Sequence, residues 1–100
     1  MKITAEISNI FTERSDMLRA AVNVILEDDT DRIIIKNVRV VDGERGLFMS
    51  LPARRNVKGE YKEICYPLSG ELRKRMSEAV LSLYAAEMQN PHPDDLPPAA

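Results

Sequence analysis

The feature that most constrains this chain is a two-residue hydrophobic alternation filling its first forty residues, followed much later by a single stretch with helical periodicity. Ile3, Ala5 and Ile7 alternate with Lys2, Thr4, Glu6 and Ser8, the period of a half-buried strand. After the polar stretch Thr12-Glu13-Arg14-Ser15-Asp16, the residues Leu18, Ala20, Val22, Val24 and Leu26 alternate with Arg19, Ala21, Asn23 and Ile25 as a second strand. Glu27-Asp28-Asp29-Thr30-Asp31 reads as a turn, because such a run favours local side-chain bonding over strand pairing. A third strand, Ile33 to Val40, then completes a β-hairpin with the second.

The third strand is not one-sided. Ile33 and Ile35 share one parity, Val38 and Val40 the other. A bulge near Asn37 would re-phase it; so would burial of both faces, one of them by a second subunit. The second reading is preferred, because Ile25 breaks the parity of its own strand too.

Asp42-Gly43 opens a turn closed by Gly46, and Leu47-Phe48-Met49-Ser50-Leu51 is a short strand ended by Pro52. Ala53–Gly59 is expected as a loop, and Glu60–Tyr66 as a last strand leading to Pro67. Ser69 is placed to cap a helix whose Glu71 suits the positive end of the dipole. Leu72, Met76, Ala79, Val80, Leu83 and Tyr84 recur at three- and four-residue spacing, so the helix is amphipathic through about Met88. Four prolines among residues 91–100 forbid its continuation, and residues 89–100 are expected to be a Pro-rich, acidic, disordered tail. Residues 1–88 thus form a single domain of the α+β class: a small antiparallel sheet of about five strands followed by one amphipathic C-terminal helix. With one helix to cover it and two free edges, such a sheet is expected to pair with a second copy as a homodimer.

The chemistry of an enzyme is thinly represented. The one histidine, His92, lies between prolines in the tail, and Cys65 stands in a strand with no histidine near it in sequence. The glycines form no phosphate-cradling motif, and the acidic run at 27–31 lacks the spacing of a calcium loop. No catalytic residue, metal, cofactor or small-molecule substrate is expected. One cysteine fits a reducing cytoplasm. Glu6 stands where an export signal would be apolar, and no apolar run is long enough to cross a membrane.

Charge is distributed unevenly. The net charge is -2, yet residues 54–75 hold seven of the 14 basic side chains against three acidic ones, and residues 76–100 hold no basic residue at all. Arg73, Lys74 and Arg75 crowd the positive end of the helix dipole, a local cost of a few tenths of a kcal/mol each. An anionic partner would offset it, and a helix N-terminus beside basic side chains can bind phosphate. Pairing of Glu71 with Arg75 and of Lys74 with Glu78 would instead make this an ordinary solvated face. Arg54, Arg55 and Lys58 add a basic loop, and Tyr61 and Tyr66 are the aromatics available to stack on a base. The candidate nucleic-acid-binding set is Arg54, Arg55, Lys58, Lys62, Arg73 and Lys74.

Three blocks make the chain resemble a known family. Val38-Arg39-Val40-Val41-Asp42-Gly43, Gly46-Leu47-Phe48-Met49-Ser50-Leu51-Pro52-Ala53-Arg54-Arg55 and Gly59-Glu60-Tyr61-Lys62-Glu63-Ile64, in this order and spacing, resemble the SpoVG family of bacterial septation and sporulation regulators. The resemblance covers about residues 1–88. It implies a small antiparallel sheet with a C-terminal helix, assembled as a dimer, that binds DNA and in some members RNA. It places Arg54 and Arg55 at the family's basic pair, Lys62 at its basic strand position, and Arg73 and Arg75 at its basic helix positions. Tyr66 stands where the family usually has histidine, Ser69-Gly70 replaces its Asn-Ser helix opening, and Lys74 falls where an acidic residue is common.

Overall fold

A computed structural model describes residues 1–11 and 17–89. The polar stretch 12–16 and the expected tail from residue 90 onward, with His92, lie outside the described residues. Among the described residues six strands precede one helix: β1 (Lys2–Ile10), β2 (Leu18–Glu27), β3 (Arg32–Gly43), β4 (Gly46–Ser50), β5 (Ala53–Arg55), β6 (Tyr61–Glu63) and α1 (Gly70–Gln89). The first four form an antiparallel meander in the order β1-β2-β3-β4, and β5 and β6 pair with each other as a separate two-stranded sheet. The fold is α+β as the pattern predicts.

Valine dominates the centre because a β-branched side chain suits the pleated surface. Val22 and Val24 of β2 and Val38 and Val40 of β3 are all fully buried. Met76, Val80 and Tyr84, one face of α1 at four-residue spacing, close over them. Each such valine contributes about 1.5–3 kcal/mol by leaving water. Ile3, Ala5 and Ile7 of β1 pack at the margin of the same core.

The mixed parity of β3 is resolved by a bulge. Val22 stands opposite Val38 but Val24 opposite Ile35, so the pairing slips by one residue at Lys36–Asn37. Asn37 takes a φ of 65°, the left-handed region, where asparagine is tolerated better than most residues. The slip brings Ile35, Val38 and Val40 to one buried face. The bulge, rather than burial of the second face by another subunit as the alternation suggested, therefore accounts for the pattern of β3. Ile34, 45% exposed, lies with Ile25 on the face turned away from the helix.

Both ends of the elements have local chemical causes. The Asp28 carboxylate accepts from the backbone amides of Asp31 (2.7 Å) and Thr30 (2.9 Å), tying the β2–β3 turn. Those amides, Asp31 first, hold its carboxyl below the ordinary aspartate value. Ser69 Oγ accepts from the Leu72 amide at 3.1 Å, the expected helix cap. Ala53–Arg55, expected as loop, is a strand instead, and the last strand is shorter than Glu60–Tyr66. Pairing across the turn decides this: Asn56 Oδ1 accepts from the amides of Lys58 and Glu60, and Gly59 turns the chain at a φ of 81°.

Asn37→Gly should leave stability within about 0.5 kcal/mol of wild type, whereas Asn37→Val, which resists positive φ, should cost about 1–2 kcal/mol. Urea unfolding followed by circular dichroism would measure both.

Candidate nucleic-acid interface

Pro52 ends the meander and sends the chain into the β5–β6 hairpin, which no other strand among the described residues flanks. The Ile64 amide donates to the Pro52 carbonyl at 2.8 Å and closes the base of this arm. The register is Ala53↔Glu63, Arg54↔Lys62 and Arg55↔Tyr61. Alternation then gives the arm two sides. Ala53, Arg55, Tyr61 and Glu63 share one, and Arg54 and Lys62 share the other.

Arg54 and Lys62 are thus direct cross-strand neighbours of like charge, an arrangement that destabilises a hairpin. Arg54 makes no hydrogen bond or ion pair among the described residues, and Lys62 meets only Glu60, at 4.0 Å. Arg55 curls over its own turn, Nε donating to the Gly59 carbonyl at 3.3 Å. Lys58 sits in that turn with its side chain exposed and unpaired among the described residues.

Arg73 has another role. Its guanidinium grips the Glu63 carboxylate with two hydrogen bonds, of 2.6 and 3.1 Å, across ten residues of chain. This fork-to-fork geometry ties β6 to the first turn of α1. The hydrogen bonds from Arg73 hold the Glu63 carboxyl below the ordinary glutamate range, and the same contact raises the Arg73 guanidinium. Both side chains are about two-fifths exposed, so the pair is worth on the order of 1 kcal/mol or less. Arg73 therefore has a firm partner that neither helical spacing nor sequence proximity indicates. Arg75, for which Glu71 is the expected partner, donates to the Met1 carbonyl at 2.9 Å instead. Lys74 is exposed, and no ion pair joins it to Glu78.

Between the arm and the β3–β4 part of the sheet lies a cleft of about 300 Å³, with Asn37, Arg39, Ser50, Pro52, Tyr61 and Ile64 among its lining residues. Arg39 stands opposite Ser50 and makes no ion pair or hydrogen bond among the described residues. It was absent from the candidate set. Its signal in the sequence is the polar position between two core residues, Val38-Arg39-Val40, which directs it to the face away from the helix.

A helix-backed meander carrying a separate cationic arm defines a small α+β domain with a basic β-hairpin. The family model described as SpoVG matches residues 1–86, and the chain belongs to that family. Relatives that bear the name septation protein SpoVG include one from Heliobacterium modesticaldum, 37% identical over 67% of this chain and 72% of its own. Another, from Treponema denticola, is 34% identical over 79% of this chain and 85% of its own. Among the described residues no helix is long and apolar enough to cross a membrane.

The Glu63 pKa is depressed in the folded state, so the tether is fully present above the ordinary carboxylate range and is lost as pH falls through the folded value. Glu63→Gln should therefore increase amide exchange across β5–β6 at neutral pH while β2 and β3 stay protected. Wild type should show the same loosening, corrected for intrinsic rates, only at pH values below the ordinary glutamate range.

Proposed function

We propose that this protein is a small, dimeric, nucleic-acid-binding regulator acting in bacterial septation, sporulation or related gene expression. The observation that carries the reading is the cross-strand pair Arg54 and Lys62. Two cations held side by side, with Glu60 at 4.0 Å from Lys62 as their counter-ion, raise the energy of the free protein, and a phosphate backbone lowers it again. Lys58 at the tip of the arm and Lys74 on the helix add charge, while Arg55 and Arg73 are partly committed to contacts within the chain. The names of the relatives supply septation as the cellular process. Dimerisation is supported by the edges of β1 and β4, which pair with no further strand among the described residues. A non-enzymatic, cytoplasmic role completes the proposal.

A second reading has its own observation. Ile34 and Phe48 are about half exposed at opposite ends of the face away from the helix, Ile34 beside Ile25 and Phe48 beside Val41. That surface fits a protein-interaction module acting on division or sporulation machinery without direct contact to nucleic acid.

Salt dependence separates the two. Fluorescence anisotropy with short DNA and RNA oligonucleotides should show affinity falling steeply with salt. Arg54→Ala and Lys62→Ala should each flatten the log–log slope by about 0.7–0.9. Absence of wild-type binding at about 50 mM salt, or an unchanged slope in the double variant, would leave the interaction reading in its place.

A further inference from the structure

The basic arm accounts for phosphate attraction but not for the cleft behind it. Three properties of that cleft belong together. Its outer wall carries Tyr61 and Ile64, 73% and 63% exposed, so an aromatic ring and an aliphatic side chain face solvent where a core would hide them. Its inner wall carries the Arg39 guanidinium, with no partner among the described residues, beside the Ser50 hydroxyl and the Asn37 amide. Its volume, about 300 Å³, stands at the lower end of the ~300–1,000 Å³ range of small-molecule pockets.

We propose that this cleft is a single-nucleotide subsite for single-stranded nucleic acid: a base stacks on Tyr61 against Ile64 and Pro52, and Arg39 holds the adjoining phosphate. Ser50 and Asn37 offer hydrogen-bonding groups to the sugar or to the base edge. The inference rests on the nucleic-acid reading and narrows it to a strand whose bases are free. A duplex keeps its bases stacked on one another, so it can meet Arg54 and Lys62 but cannot fill the cleft. The side-chain alternation of the arm makes this division of labour: Tyr61 is on the cleft side, while Arg54 and Lys62 project from the other. A strand entering the cleft would pass around the arm, with a base on one side of it and phosphates on the other. Sequence preference would be weak, since every base has a face to stack.

The test compares wild type, Tyr61→Ala, Tyr61→Phe and Arg39→Ala in binding to a labelled single strand, the matching duplex and a mononucleotide. Tyr61→Ala should weaken single-strand binding about 5- to 150-fold with the salt slope unchanged. Tyr61→Phe should restore most of that affinity. Arg39→Ala should flatten the single-strand slope by about 0.7. Duplex binding should be the same in all four proteins, and the mononucleotide should bind much more weakly than the strand. Tyr61 is exposed, so these variants should fold, and unfolding curves would establish it. Equal effects of Tyr61→Ala on strand and duplex, or none on either, would overturn the subsite while leaving the basic-arm reading in place. A mononucleotide bound as tightly as the strand would overturn it in favour of a soluble-nucleotide site. Wild type binding neither strand nor duplex would overturn both readings together.

Discussion

The packing of Met76, Val80 and Tyr84 onto four fully buried valines of β2 and β3 is the contact on which the rest of the structure depends. It needs an uninterrupted apolar patch on one side of the two central strands, and the sequence of β3 does not supply one by simple alternation. The bulge at Asn37 creates it, setting Ile35 beside Val38 and Val40 on the helix side. The same slip fixes what faces the other way. Arg39 is held on the open face because both of its neighbours are committed to the core. A residue in the left-handed conformation, chosen by packing, thus also sets one wall of the cleft.

The β5–β6 arm obeys a different logic. It contributes no fully buried side chain and pairs with no strand of the meander. Its shape comes from Asn56, which receives two amides of the turn, from Gly59, and from the Pro52–Ile64 bond at its base. Its attachment to the helix comes from Glu63 and Arg73. An element held by polar contacts can carry unfavourable charge pairs that a core strand could not, because the energy lost is small and water still reaches the cations. That is why Arg54 and Lys62 stand together there. It also makes the arm's attachment to the helix depend on the ionisation of one carboxylate.

Features that depend on near neighbours were legible in the sequence. Asp28 and Thr30 tie their own turn, Ser69 caps its own helix, and the Leu72–Met76–Val80 stripe identifies the face that packs. The three blocks that resemble the SpoVG family were legible as well, since motif order survives in one dimension. Ala53–Arg55 was not. It has neither hydrophobic alternation nor length, and it becomes a strand only because β6 returns beside it. The partner of Arg73 was hidden for a similar reason, since Glu63 is ten residues away on a different element.

By itself, then, the amino-acid sequence determined the α+β class, most of the core positions, the capped helix and the concentration of positive charge between residues 54 and 75. Those properties follow from periodicity, side-chain volume and short-range hydrogen bonding, which act over a few residues. Only the tertiary structure decided which cations stand free and which are already engaged. It alone resolved the phase of β3 and joined Arg39 to Tyr61 across one cleft. Each of these depends on pairing register and on contacts between distant segments, and a one-residue slip is enough to turn a side chain from the core to the open face.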